Sequence, residues 1–92
     1  MNKIILFTLK GCPHCVSLKN RLIDASIPFI ELDVDDNPEI WAEVVNEINE
    51  ELLPTTLITN TESEDGFIYV PSIDYETEDE IFHIIQNKIK RE

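Results

Sequence analysis

Cys12 and Cys15, in the run Lys10-Gly11-Cys12-Pro13-His14-Cys15, are the two thiols of this 92-residue chain. Two cysteines separated by two residues can exchange thiol for disulfide through a mixed disulfide, or supply two ligands to a metal. Pro13 sets the local frame. Proline favours the first position of a helix, where its missing N–H would have no partner anyway. That makes Cys12 the N-cap and Cys15 the third helical residue. An N-cap side chain accepts from the second or third backbone N–H, here those of His14 and Cys15, and a helix start favours negative charge. Cys12 is therefore expected to be a thiolate more readily than an ordinary cysteine, and the thiolate is the nucleophile. Cys15, Leu18, Leu22 and Ala25 share one helical face, which turns Cys15 inward. The pattern describes an attacking thiol with a sheltered partner.

The elements around this run are those that would hold it. Residues 3–9 form a nearly continuous apolar run, which predicts a strand buried on both faces. The helix from Cys12 is expected to end near Ser26, because Pro28 biases Ile27 away from helical geometry. Residues 29–34 read as a second strand, parallel to the first through a right-handed crossover. Asn37 caps a second helix that has Pro38 in its first position. Its apolar stripe is Ile40, Trp41, Val44, Val45 and Ile48, with Trp41 read as core. Residues 55–59 are β-branched and predict strand three. Asp65-Gly66 marks a turn in 60–66, and residues 67–70 complete an antiparallel hairpin. Thr77 and Glu80 form a capping box. Ile81, Ile84, Ile85 and Ile89 give the last helix its apolar face, and Lys88, Lys90 and Arg91 stand at its C-terminal end. The order is β-α-β-α-β-β-α, an α/β arrangement in one domain spanning 1–92.

Composition narrows the function. Hydrophobic residues make up 42% of the chain, enough for one core at this length. No apolar run is long enough to span a bilayer. Met1-Asn2-Lys3 leads directly into the first strand with no small-residue cleavage site, which reads as no signal peptide and a cytoplasmic setting. There, C-x-x-C points to redox catalysis or a metal rather than to a structural staple. The net charge of −12 is unevenly spread. Residues 1–30 set Lys3, Lys10, Lys19 and Arg21 against Asp24 alone, and the other 18 carboxylates follow. So acidic a chain repels nucleic acid and anionic membrane, leaving no partner of either kind. The acidic face is read as a solvated surface, with choice of a protein partner as the alternative.

This order, with C-P-x-C opening the first helix and Pro54 at the mouth of the third strand, resembles the thioredoxin fold: a four-stranded mixed sheet flanked by three helices. Within that fold the chain is most similar to a glutaredoxin. The resemblance covers the apolar strand, Lys10, C-P-H-C, the Leu53-Pro54-Thr55 segment, and the closing hairpin and helix. It implies that Cys12 attacks a disulfide and that Cys15 resolves the mixed disulfide. It implies a cis Leu53–Pro54 bond that leaves the Leu53 backbone to pair with an extended substrate. By the same resemblance Lys10 adds positive field, Thr55 is the candidate for a hydroxyl contact, and Asp79 matches the family's ligand-binding Asp at the last helix start. The family's usual Tyr is replaced by His14, as in the periplasmic oxidants of the DsbA type. With Pro13, His14 is expected to tune the Cys12 thiolate toward a more oxidising couple. Leu52-Leu53-Pro54 stands for Thr-Val-Pro. Pro71-Ser72-Ile73-Asp74-Tyr75-Glu76-Thr77 stands where glutathione-binding members carry Gly-Gly, and Glu76 and Glu78 would repel an anionic ligand.

The expectation is a monomeric dithiol–disulfide oxidoreductase of glutaredoxin type with no bound cofactor. It would act on protein or mixed disulfides and draw electrons from glutathione or a thioredoxin reductase. Two rivals use the same residues. One is a metal or iron–sulfur site on the thiols, although His14 lies between them and His83 is far along the chain. The other is a binding module that kept the fold without the chemistry.

Overall fold

The computed structural model describes residues 2–60 and 66–90. The expected hairpin turn at Asp65 and the terminal Arg91 lie outside the described residues. The elements are β1 Asn2–Thr8, α1 Pro13–Asp24, β2 Ile30–Asp33, α2 Pro38–Ile48, β3 Thr55–Asn60, β4 Gly66–Tyr69 and α3 Glu78–Lys90. The four strands form one mixed sheet in the order β2-β1-β3-β4. β1 is parallel to β2 and antiparallel to β3, and β3 is antiparallel to β4. The α/β order expected from the sequence is the order found.

Alternation along the strands divides the apolar residues between two faces of the sheet. Ile4, Leu6 and Ile58 turn to one face and form the main core with Leu18 and Leu22 of α1 and Ile81 and Ile85 of α3. Phe7 turns to the opposite face and meets Trp41 of α2, with ring centroids 5.4 Å apart. β1 is thus buried from both sides, as a central strand should be. The α2 face is thinner, because one helix covers four strands. Ile40, expected on the core stripe, is 46% exposed, while Val44 is buried.

Helix ends follow their local chemistry. α1 closes in a Schellman arrangement: Ser26 takes a positive φ of 58°, and its N–H donates to Ile23. The Ile27 N–H donates to Leu22 at 2.9 Å. Thr77 caps α3, its Oγ1 accepting the Glu80 N–H at 3.2 Å. Asn37 stands at the N-cap of α2 but makes no side-chain cap. Its amide instead donates to the Asp33 carbonyl at 3.0 Å, closing the turn that leaves β2. No helix among the described residues is long and apolar enough to cross a membrane.

Because Leu22 is fully buried between α1, α3 and the sheet, Leu22→Ala should cost about 2–5 kcal/mol. Ile23→Ala, next to it but 61% exposed, should cost less than about 0.5 kcal/mol. Urea denaturation followed by circular dichroism checks both values.

Candidate active site

The loop after β1 must reverse direction within four residues to start α1 over the sheet edge. Gly11 makes that possible with φ +84°, a conformation that side-chain-bearing residues seldom adopt. The Cys12 N–H then donates to the Leu9 carbonyl at 3.1 Å. Cys12 is the N-cap of α1 in an extended conformation, and Pro13 opens the helix. The Cys12 Sγ accepts the Cys15 N–H at 3.3 Å, so one of the unpaired amides of the helix start is directed at this sulfur.

The two thiols are free and differ sharply in surroundings. Cys12 is half-buried, whereas Cys15 is 1% exposed beneath α1. Burial pushes the Cys15 thiol up to about 12, reinforced by a hydrogen bond with the Cys12 sulfur and by negative charge there. A backbone hydrogen bond with Leu9 and the Lys19 ammonium pull the other way. Cys15 therefore holds its proton at neutral pH. One turn further along α1, Lys19 pairs with Glu31 at 2.9 Å. The same carboxylate oxygen accepts the Thr8 hydroxyl at 2.8 Å. Lys19 first and Thr8 second hold the Glu31 carboxyl below its usual range.

Across from the thiols, the Leu53–Pro54 peptide is cis. Two hydrogen bonds brace this loop. The Thr55 hydroxyl donates to the Leu52 carbonyl at 2.5 Å, and the Tyr75 hydroxyl donates to the Pro54 carbonyl at 3.0 Å. Thr55 is completely buried, so the expected substrate contact by its hydroxyl is corrected: that group is committed to the loop. Asp79 is also displaced from the expected role. Its carboxylate pairs with Arg21, which also meets Glu78 at 3.4 Å and lies 4.4 Å over the Phe82 ring. Asp79 thus fastens α3 to α1. Lys10 and His14 are exposed on the loop and the first helical turn, on either side of Cys12.

Tyr75 is the site residue that sequence reasoning missed. The segment before it is tied by donations from Ser72 to the Tyr75 carbonyl at 2.7 Å and from Asp74 to the Val70 carbonyl at 2.9 Å. The Asp74 side chain accepts the Val70 N–H at 2.8 Å. These bonds turn Tyr75 inward, where burial first, then the neighbouring Cys15 sulfur and the Asp74 and Glu78 carboxylates, raise its phenol well above the ordinary value. The available signal was a bulky aromatic standing alone between Asp74 and Glu76. A buried Tyr hydroxyl needs a partner, and Pro54 supplies one.

A cavity of about 230 Å³ opens between His14, the Leu53–Pro54 loop and the start of α3. Leu18, Pro54 and Ile81 give it apolar walls, and Tyr75, Glu76 and Glu78 line its far side. Asp79 and Thr55 do not line it. Among the described residues, no group of three or more His, Cys, Asp or Glu is arranged to hold a metal ion. The arrangement supplies one half-buried sulfur, one hidden protonated thiol, and a recess that begins at His14, two residues from Cys12.

Comparison with known proteins agrees with this geometry. The sequence model of the glutaredoxin family matches residues 4–61. A glutaredoxin of Pseudomonas aeruginosa is 28% identical over 61 residues, which is 66% of this chain and 73% of that protein. Among solved structures, a thioredoxin-like protein superposes with a TM-score of 0.64 at 19% identity, over 90% of this chain and 99% of the other. The oxidised thioredoxin of Plasmodium falciparum gives 0.64 at 18% identity, over 95% of this chain and 80% of that one. At such identities these structures show the thioredoxin fold.

Two outcomes follow from the site's geometry. Iodoacetamide at pH 7 should label the folded, reduced protein once, at Cys12, because Cys15 is buried and its thiol, pushed up to about 12, holds its proton. Both cysteines should label in denaturant, as read by mass spectrometry. Tyr75→Phe, which strands the Pro54 carbonyl, should lower unfolding free energy by about 1–3 kcal/mol in urea titration.

Proposed function

The chain belongs to the glutaredoxin family, and on that premise we propose that it is a dithiol–disulfide oxidoreductase acting on protein or mixed disulfides through Cys12 and Cys15. The observation that carries the reading is the asymmetry of the two sulfurs. Cys12 is half-buried and accepts an amide hydrogen at 3.3 Å, whereas Cys15 is buried and protonated.

In the first step a lone pair on the Cys12 thiolate attacks one sulfur of the substrate disulfide. A Cys12–substrate S–S bond forms, and the other substrate sulfur leaves as a thiolate. In the second step Cys15 loses its proton to water or to the departed thiolate. Its sulfur then attacks Cys12 Sγ, the mixed disulfide breaks, and the second substrate thiol is released. The substrate gains two electrons, and the protein is left with a Cys12–Cys15 disulfide. Two glutathione thiols, or the dithiol of a thioredoxin reductase, restore it. During the first step Cys15 keeps its proton, whose loss would place a second negative charge beside Cys12.

Lys10, solvent-facing on the loop, adds positive field at Cys12, while Pro13 and His14 tune that thiol from the first helical turn. Leu53 and Pro54 offer backbone and surface to an extended substrate segment. We favour such a protein segment over free glutathione, because Glu76 and Glu78 stand beside the recess. We place the protein in the cytoplasm, as a monomer, where C-x-x-C thiols are kept reduced and cycle catalytically.

Cys15→Ser should trap a mixed disulfide with substrate that is stable to non-reducing electrophoresis, and Cys12→Ser should abolish insulin reduction. Insulin reduction by both variants at the parent rate would end the enzyme reading. Running the assay with glutathione and glutathione reductase, then with NADPH and thioredoxin reductase, identifies the electron source by which one sustains turnover.

A further inference from the structure

The recess between His14, the Leu53–Pro54 loop and the start of α3 has walls and a charge that favour one kind of occupant. Its volume of about 230 Å³ has room for one long side chain. Leu18, Pro54 and Ile81 offer apolar walls, while no Lys or Arg lines it.

Its carboxylates are not equivalent. Glu78 shares Arg21 with Asp79. Asp74, just outside the recess, is committed to the Val70 N–H. Glu76 is exposed at the rim and has no ion-pair partner among the described residues. The positive end of α3 amounts to about half a charge and is answered by Glu78, Asp79 and Glu80 in its own first turn. The free carboxylate of Glu76 therefore sets the sign of the recess. An apolar channel ending at an unpaired carboxylate matches a side chain with a methylene stem and a cationic head.

We propose that this recess, with Glu76 at its rim, is a specificity subsite for a Lys or Arg side chain flanking the disulfide of a polypeptide substrate. The inference rests on the oxidoreductase reading and adds its substrate class. Leu53 would hold the substrate backbone, and the stem would pass Pro54 and Ile81 to reach Glu76. The disulfide would then sit at Cys12. The carboxylates of glutathione would face Glu76 in the same place.

The test is a single-turnover reaction of the reduced protein, which needs no reductase. Two peptide disulfides are compared, identical except for Lys or Glu next to the cysteine. Oxidation of the protein is read by acid quench and mass spectrometry. At low salt the Lys peptide should react about tenfold faster, and the ratio should fall as salt is added. Glu76→Gln should lower the ratio to about threefold, and Glu76→Lys should bring it to one or below. Glu43→Gln on α2 changes net charge equally and should leave the ratio unchanged, which separates the subsite from the field of the whole acidic chain. Equal rates with the two peptides, or equal effects of Glu43→Gln and Glu76→Gln, would overturn the subsite alone. Failure of both peptides to oxidise the protein would overturn the oxidoreductase reading and the subsite with it.

Discussion

A helix that begins at a proline leaves its next amide hydrogens without partners, and this site is built on that deficit. Pro13 removes one donor, and the N–H of Cys15 is turned to the Cys12 sulfur at 3.3 Å. The same helical turn carries the Cys15 side chain down onto the sheet, where it is 1% exposed. One turn of helix thus produces both halves of the device: a sulfur at the solvent boundary and a second sulfur in the core. Neither position is free to change. Moving Cys15 by one residue would rotate it about 100° around the axis and out of the core. The packing of Leu18 and Leu22 under α1 is therefore also what hides the second thiol.

The opposite wall depends on the last third of the chain. In the Leu52–Thr55 loop, side-chain hydroxyls rather than backbone amides serve the Leu52 and Pro54 carbonyls. Thr55 serves Leu52, and Tyr75 reaches across from the segment before α3 to serve Pro54. Arg21 then joins α1 to the start of α3 through Glu78, Asp79 and Phe82. The recess that begins at His14 is bounded by these three parts, so its shape is held by contacts among α1, the Pro54 loop and the α3 entrance.

Features governed by neighbours in sequence were legible beforehand. Pro13 and the Thr77–Glu80 capping box announce their helix starts through local steric and hydrogen-bond rules. The continuous apolar run of β1 declares burial on both faces. Features governed by distant partners were not. Nothing near Thr55 says that its hydroxyl faces Leu52 rather than a substrate, since both require an oxygen at the mouth of a strand. Asp79 matched a binding residue by position, but Arg21, 58 residues earlier, claims its carboxylate. The Asn37 side chain could accept a helix amide with its oxygen or donate its own amide to the turn, and donation to the Asp33 carbonyl prevailed. Ile40 followed the helical period, yet α2 does not cover enough of the sheet to bury it. Tyr75 needed knowledge of which carbonyl lay above it.

Charge shows most clearly how folding rewrites what composition implies. The first thirty residues are net positive, which would place the thiols in a cationic neighbourhood. Two of their four cations are drawn away: Lys19 to Glu31, and Arg21 to Glu78 and Asp79. Both pairs lie at the surface, where such contacts contribute little stability, so their main effect is on the field. With Arg21 and Lys19 engaged, Lys10 is the cation closest in sequence to Cys12, and Glu76 remains unmatched at the far rim of the recess. The Cys12 sulfur thus sits between positive charge on its own loop and negative charge on the facing segment. On the proposed function, a cationic group of a substrate would be drawn to the rim and away from Lys10, which would orient the disulfide as well as attract it.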